Sequence, residues 1–348
     1  MNRLVVIGLA AISIFPATAA AQNGSLPRED TPLLLIRAIP MAGVEGRFDH
    51  MAFDTKHGRL FTAVFGNDTL EVIDMSKARR VYSITGLNKP QGAVYIPETN
   101  RIVVSNGGGD GACKIYDGTT YNLVDTVQFP DGDSDQLRYD PSAHIVYVGY
   151  GDVEKGAIGM IDARTDKRIE GDFIVGAHPE SFQLETSGPK IFVNLESINQ
   201  VAVIDRNTHK VTKWPLKEAG TNFPMALDEA HHRLMIGARR PPRLLVLDSE
   251  SGKVVANLPS ANDTDDLWFD PDRKRIYVPG GEGVIFVFQQ IDADHYKEVA
   301  RIPTTLEART SAYSVETIGK HNDLYLAVPG RGNQPAEMWV YETVDDIE

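Results

Sequence analysis

The sequence predicts an all-β fold, a seven-bladed β-propeller in which the N-terminal strand closes the last blade. Two observations lead to this prediction. One is a repeated unit of about 40 to 45 residues, the length typical of a four-stranded blade. The other is a strand that is missing from the last unit, together with a spare strand before the first. A single such unit cannot bury both faces of its sheet, whereas a closed ring of units can.

The repeat is marked by short apolar runs that end in an acidic or amide residue, with successive spacings of 43, 45, 43, 43, 41 and 53 residues. The residues at these ends are Asp74, Asp117, Asp162, Asp205, Asp248, Gln289 and Glu342. A β-branched or aromatic run such as "RLFTAVF" or "KIFVNL" precedes each of them. Period-two alternation and Gly, Asn and Asp turns predict four antiparallel strands in each unit.

The two ends of the chain predict that the ring is closed. After "EMWVYE" only a few residues follow, so the seventh unit lacks its outermost strand. The run "PLLLIRAIP" (32–40) belongs to no unit. We expect it to pair into blade seven, which would remove an open sheet edge. The alternative is a solenoid of stacked sheets, but such a stack needs capping ends, and the sequence contains none.

The first residues are typical of a secretory signal peptide. A positive start, an apolar run from Leu4 to Phe15 and small residues at Ala19 and Ala21 predict cleavage after Ala21. The predicted organisation is a signal peptide (1–21), a flexible segment (22–31) and one propeller domain (32–348), in the periplasm or secreted. The alternative is a retained membrane anchor, but this run is too short to span a bilayer. No membrane span is expected after cleavage.

Composition limits the partners that the protein can have. The net charge is −13, whereas binding to nucleic acid or to anionic lipid requires a basic surface. The single cysteine, Cys113, cannot close an internal disulfide, so stability must come from a packed core. We expect a monomer that binds a small anionic molecule or a protein partner, and no nucleic acid.

Titratable residues stand where the innermost strands begin, which in a propeller is the mouth of the central channel. They are brought around one axis by the ring, and carboxylates so placed would share a proton or a cation. The predicted metal ligands are Asp49, His50, Asp135, His178, Glu180 and Asp265. Two imidazoles with carboxylates suit Zn²⁺, Mn²⁺ or Fe²⁺, and carboxylates alone would favour Ca²⁺, so one divalent ion is expected in the channel. The alternative is that these groups cap blade ends and bind ordered water.

A second set of polar residues is predicted to bind a ligand at the same mouth of the channel, which we call the funnel. It consists of Arg47, Gln91, Asn222, Arg239, Arg309 and Arg331. Arginine presents a planar fork that binds carboxylate or phosphate, so these residues would suit an anionic small molecule. The alternative is that the arginines are solvated loop charges that balance a negative protein.

Blades such as "RLFTAVFGNDTLEVIDMSKARRVYSITG" and "KIFVNLESINQVAVIDRNTHKVTKWPL" resemble the YVTN repeat family, the YncE-like secreted seven-bladed propellers of bacteria. The resemblance covers essentially the whole mature chain. It implies the fold strongly and the function weakly, because the matching residues build blades. Nucleic-acid binding has been attributed to YncE-like relatives, and the acidic charge disfavours it here. A more distant likeness to lactonase-type propellers includes none of their active-site motifs.

Two functions are consistent with the sequence. The first is a recognition module that binds a small ligand, a metal ion or a protein partner at the funnel. The second is a metal-assisted hydrolase or lyase, similar to a lactonase, with His50, His178 and Glu180 as the catalytic residues. Both functions use the same residues at the funnel.

Overall fold

The computed structural model describes residues 31–314 and 322–345, which form 28 β-strands in seven four-stranded sheets. The predicted signal peptide (1–21), and all but the last residue of segment 22–31, lie outside the described residues. Within the described residues, no helix is long and apolar enough to cross a membrane. Two single-turn 3-10 helices occur at Glu196–Ile198 and Glu229–His231.

Strand β1 (Leu33–Pro40) precedes the blades, and six blades then follow in chain order. Blade one contains β2 (Met51–Asp54), β3 (Arg59–Val64), β4 (Thr69–Asp74) and β5 (Arg79–Ile84). Blade two contains β6 (Pro90–Ile96), β7 (Arg101–Asn106), β8 (Cys113–Asp117) and β9 (Leu123–Val127). Blade three contains β10 (Leu137–Asp140), β11 (Ile145–Tyr150), β12 (Ala157–Asp162) and β13 (Lys167–Ile174).

The next three blades repeat the same order from the innermost to the outermost strand. Blade four contains β14 (Phe182–Leu184), β15 (Lys190–Leu195), β16 (Gln200–Asp205) and β17 (Val211–Pro215). Blade five contains β18 (Gly220–Asp228), β19 (Arg233–Arg240), β20 (Pro242–Asp248) and β21 (Val254–Pro259). Blade six contains β22 (Trp268–Asp270), β23 (Arg275–Gly280), β24 (Val284–Gln290) and β25 (Tyr296–Pro303).

The seventh blade is built from both ends of the chain. It contains β26 (Ser311–Ser314), β27 (Asp323–Val328) and β28 (Glu337–Thr343), and β1 is its outermost strand. Strand β1 pairs antiparallel with β28, in a register that runs from Leu33 opposite Thr343 to Pro40 opposite Glu337. The predicted seven-bladed propeller, closed by its N-terminal strand, is therefore confirmed.

The hydrophobic core is divided among the interfaces between blades. Within the described residues, seven clusters of buried apolar side chains occur, each formed by two neighbouring sheets. One cluster joins the first blade to the last, for example through Leu60 and Met338, which are both fully buried. Seven interfaces for seven blades leave no sheet face exposed at a gap, so the packing also shows that the ring is closed.

The repeated aspartate at the end of the third strand has a structural role in the hairpin that follows it. Asp117 accepts hydrogen bonds from the backbone N–H groups of Thr119 (3.0 Å) and Thr120 (2.8 Å). Asp205 accepts equivalent bonds from Asn207 and Thr208, both at 2.9 Å. An aspartate that caps its own turn in this way favours a tight hairpin. The pattern that revealed the repeat is therefore a turn signal and not a catalytic one.

A cation at the start of the second strand ties several blades to the next blade in the ring. Its side chain reaches across the interface to a turn of the following sheet. The four pairs are Arg59 with Tyr121 (3.1 Å), Arg101 with Asp166 (3.1 Å), Lys190 with Glu250 (2.6 Å) and Arg233 with Asp294 (2.6 Å). These contacts fix the rotation of one blade against the next and so help to position the inner strands.

We predict that the closing strand contributes strongly to stability through its buried face. Leu33 is 2% exposed and Leu35, in the same strand, is 44% exposed. Because Leu33→Ala leaves a cavity in the core, we expect it to lower the free energy of unfolding by about 2 to 5 kcal/mol. The matched Leu35→Ala should change it by less than about 0.5 kcal/mol. Urea unfolding followed by circular dichroism measures both, and equal effects would contradict the prediction.

Candidate functional site

The innermost strands bring equivalent residues to the mouth of the channel. The backbone N–H groups of Asp49, Asp135 and Glu180 donate to Ala63 (2.8 Å), Gly149 (2.8 Å) and Asn194 (3.0 Å) on the second strands of their own blades. The three acids thus occupy the same position in three blades, just before the inner strand begins. Each of these inner strands is the strand of its sheet that lies nearest the channel axis. The acids therefore converge although they are far apart in sequence.

Three of the six predicted metal ligands lie close enough to share an ion. Asp135, His178 and Glu180 each offer a ligand atom, and these atoms all lie within 4.8 Å of one another. Within the described residues, this is the one group of His, Cys, Asp and Glu side chains with such spacing. The Nε2 atom of His178 lies 3.2 Å from an Asp135 carboxylate oxygen.

The other imidazole nitrogen of His178 fixes the orientation of the ring. Its Nδ1 lies 2.7 Å from the carbonyl oxygen of Gly151, which can only accept a hydrogen bond. Nδ1 therefore carries a proton, and Nε2 points toward Asp135. A histidine that donates one N–H to a backbone carbonyl and presents the other nitrogen is the usual arrangement of a metal ligand.

His50 belongs to a second set of contacts beside this trio. Its Nδ1 lies 3.1 Å from Asp266 Oδ1, and its Nε2 lies 2.9 Å from the amide nitrogen of Gln136 and 3.5 Å from Asp49 Oδ1. The Gln136 amide oxygen is buried without a partner. Rotating this amide would place its oxygen against an N–H at Nε2, which fits a doubly protonated His50.

The arginines of the predicted ligand set mostly bind the carboxylates of the predicted metal set. Arg239 and Arg309 each contact one oxygen of Asp265, and Arg309 Nε lies 2.7 Å from Oδ2. Arg47 lies 2.6 Å from Asp49. Both oxygens of Asp265 are thus bound to guanidinium groups. The set of acids that are free to bind a metal is narrower than the sequence predicted, and this arginine layer has its charge already balanced.

The remaining predicted ligand residues lie in different settings. Gln91 donates to the carbonyl oxygen of Ser134 at 3.3 Å, at the rim of the channel. Arg331 pairs with the exposed Glu307 at 2.9 Å in an outer loop. Asn222 is fully buried, and its amide group donates to Asn194 and to the carbonyl oxygen of Gln200. Asn222 therefore joins blades four and five and is not accessible to a ligand.

Two of the channel acids and both channel histidines hold protons more tightly than isolated groups do, whereas the acid Asp265 holds its proton less tightly. Burial raises the pKa of Asp49 to about 7, against the opposing effects of His50 and Arg47. Burial and the charge of Asp135 raise the pKa of Glu180 to about 8. For Asp265 burial opposes ionisation, but Arg239 and Arg309 outweigh it and lower the pKa.

Both histidines are protonated at neutral pH because of the carboxylates beside them. Burial alone would lower the pKa of His50, but Asp266 raises it to about 10. Burial also opposes the charge on His178, and Asp135 raises its pKa to about 10. The cluster therefore stores protons that a metal ion or a cationic ligand could displace.

Two channel residues were not among the sequence candidates. Asp266, the main partner of His50, is adjacent to Asp265 in the sequence, and this position was the available signal. Arg138 lies in β10, inside the channel, where its Nη1 donates to the carbonyl oxygen of Leu137 at 2.8 Å. An arginine within the short inner strand β10 was the signal, and it became informative only once the position of the channel was known.

We predict that the stability of the metal-free protein falls as pH rises. The pKa of Asp49, His50, His178 and Glu180 is raised in the folded state, so between about pH 5 and pH 10 the folded protein binds more protons than the unfolded chain. Deprotonation of the unfolded chain then favours unfolding. Glu180→Gln removes one of these groups, so the variant should gain stability relative to the natural protein as pH rises from about 5 to about 8, by about 1.4 kcal/mol for each unit of lost pKa shift.

Unfolding in denaturant at several pH values measures this difference between the natural protein and Glu180→Gln. The matched control is Glu170→Gln, since the Glu170 side chain is 85% exposed. Parallel pH profiles for the natural protein and Glu180→Gln would contradict the prediction.

Comparison with known proteins supports the propeller assignment. No protein-family model matches the chain. Two curated proteins, each called "Uncharacterized protein YncE" and coming from Salmonella typhimurium and Salmonella typhi, are 24% identical over 195 residues. The match covers 55% of this chain and 54% of each relative, so the chain spans about half the length of the curated relatives it matches.

Two solved structures share the fold at low sequence identity. Kuenenia stuttgartiensis hydrazine synthase matches with a TM-score of 0.71 and 16% identity, over 82% of this chain and 93% of that one. A chain in the crystal structure of a mitotic checkpoint complex matches with a TM-score of 0.73 and 14% identity, over 99% of both chains. These likenesses concern the fold alone. The chain is therefore a seven-bladed β-propeller, and over about half of its length its sequence is similar to that of YncE.

Proposed function

We propose that this protein is a periplasmic propeller that binds one divalent transition-metal ion at Asp135, His178 and Glu180 in its central funnel. The observation that carries the proposal is the spacing of the three ligand atoms, all within 4.8 Å of one another. The predicted signal peptide supports the location. The net charge of −13 favours a cation over nucleic acid as the partner of the funnel.

The chemistry of the three ligands selects the class of ion. One imidazole nitrogen with two carboxylates suits Zn²⁺ or Mn²⁺, whereas Ca²⁺ takes oxygen ligands and usually six or more of them. The bond from His178 Nδ1 to Gly151 supplies the outer-shell contact that holds a ligand ring in place. Asp49 and Asp265 are held by arginines, so they would shape the field around the ion without binding it.

The protons of the cluster make metal binding dependent on pH. His178 and Glu180 both have a raised pKa, so an ion must displace their protons before it can bind at neutral pH. Affinity should therefore rise as pH rises, and binding should release protons. This distinguishes the proposed site from exposed acidic residues, which are already ionised and would bind cations with little change in that range.

We predict that the EDTA-treated mature protein binds one Zn²⁺ per chain, and that affinity rises between about pH 6 and pH 9. His178→Gln and Glu180→Gln should weaken binding by about a hundredfold or more, since loss of an outer-shell partner alone costs about 10- to 100-fold. His57→Gln is the matched control, because His57 is bound to Asp54 in an outer turn at 2.8 Å. Isothermal titration calorimetry in two buffers measures affinity and proton release, and equal affinities for all variants would exclude the site.

A second candidate function is metal-assisted hydrolysis. It is favoured by the number of protein ligands, since three ligands leave a position open for water, as in catalytic zinc sites. His50 is part of the same charged cluster, because its charge lowers the pKa of Glu180 and the charge of Asp135 raises the pKa of His50. Held protonated by Asp266, His50 would act as a general acid that supplies a proton to a leaving oxygen.

We predict for this second candidate that the Zn²⁺-loaded protein hydrolyses a simple lactone or aryl ester, and that His50→Gln lowers kcat by about 100-fold or more with metal binding retained. His231→Gln serves as the control because this histidine lies in an outer turn beside Asp228. A chromogenic ester assay measures the rate. If the Zn²⁺-loaded protein hydrolysed the ester no faster than free Zn²⁺ does, the hydrolase would be contradicted, and the metal-binding function would stand alone.

A further inference from the structure

The channel contains a cavity on the far side of His50 from the funnel. Its volume is about 390 Å³, and it is lined by residues from β2, β6, β10, β14, β22 and β26, which are innermost strands. We call it the lower chamber. It runs from His50 to Phe53 along β2, a distance of about 10 Å at the usual rise of a strand. A cavity of this size is in the range of small-molecule sites.

Among the described residues, the lower chamber is lined by two cations and by no carboxylate. Its charged lining residues are Arg138 and His50, in a protein whose net charge is −13. The two carboxylates whose charges act on Arg138 are Asp135 and Asp266. Asp135 contacts His178, and Asp266 contacts His50. A negative ligand in the chamber would therefore meet the Arg138 guanidinium without displacing an acid from it.

Arg138 lacks the partner that other channel arginines have. Arg47, Arg239 and Arg309 each form an ion pair at the funnel, whereas Arg138 forms none within residues 31–314 and 322–345. Its guanidinium has one hydrogen bond, to the carbonyl oxygen of Leu137, and lies 5.5 Å from the ring of Phe182. Burial lowers the pKa of Arg138 to about 10, so it is still charged at neutral pH. Asp266 and Asp135 act on this charge only from a distance, without contacting it. A partly buried charge that no carboxylate contacts is costly, and an anion bound to it would relieve that cost.

The other walls of the lower chamber are apolar and aromatic. Met51, Phe53, Val94 and Trp268 all line it. Trp268 already donates its indole N–H to Ser311 at 2.9 Å, so its polar atom is satisfied and its ring contributes apolar surface. The chamber thus combines the Arg138 guanidinium with walls that favour the hydrocarbon part of a ligand. An inorganic anion has no such part.

We propose that the lower chamber binds a small organic carboxylate, with its carboxylate on the Arg138 guanidinium and its apolar body against Phe53 and Trp268. The guanidinium group of arginine binds a carboxylate by donating two parallel hydrogen bonds to its oxygens. This site is separate from the proposed metal site, and neither Glu180 nor His178 lines it. The propeller would then present a cation site at one mouth of its channel and an anion site at the other.

The test is calorimetric titration of the EDTA-treated protein with phenylacetate, with neutral phenylacetamide and inorganic phosphate as comparison probes. Phenylacetate should bind more tightly than either, because only it has both the charge and the apolar body. Arg138→Gln should weaken binding by about tenfold or more, since hydrogen bonds to charged groups are the strong ones. Arg79→Gln, a change of an exposed arginine on the outer strand β5, should leave the affinity unchanged.

Two further variants keep the result clear. Val94→Phe fills the chamber and should abolish binding while Arg138 stays in place, and Arg138→Lys should restore part of the affinity that Arg138→Gln loses. Circular dichroism and thermal unfolding establish that each variant is folded. Glu180→Gln should bind phenylacetate like the natural protein, which separates this site from the metal site. No binding at millimolar concentration, equal affinity for acid and amide, or equal affinity in Arg138→Gln would each overturn the proposal.

Discussion

The pairing of β1 with β28 is the interaction on which the rest of the structure depends. It supplies the fourth strand of blade seven and closes the ring, and the cluster that contains Leu60 and Met338 packs the first blade against the last. Each blade buries its faces only against its neighbours, so a gap at this point would expose two sheet faces at once. The circular arrangement is also what creates a channel, since it places all the innermost strands around one axis.

Closure has a direct electrostatic consequence. It brings acids from several blades together, and their repulsion is relieved in two different ways. At one side of the channel Asp265 and Asp49 are bound by arginines. At the other, Asp135 and Glu180 are accompanied by His178, and protons take the place of fixed cations. An ion can bind the groups on this second side, because a proton is displaced more easily than a guanidinium that is tethered to the chain.

Much of the fold could be predicted because its signals are local. The acidic or amide residue that ends the third strand of each blade, such as Asp117, which caps its turn through Thr119 and Thr120, is read from consecutive residues, and its recurrence gives the number of blades. The site was predicted less completely. Its position at the starts of the inner strands follows from the repeat, and Asp135, His178 and Glu180 do meet there. The partners of Asp265 and the burial of Asn222 depended on side chains from other blades, which no local pattern encodes.

The sequence alone determined the blade repeat, the ring and the spare strand that closes it, because these depend on strand periodicity, turn residues and the order of units along the chain. Only the tertiary structure decided which charges meet. His50 and Asp266 are separated by 216 residues and lie 3.1 Å apart, and the described residues that line the chamber around Arg138 include no carboxylate. Such contacts are set by distances across the axis. Those distances depend on how every blade packs against the next.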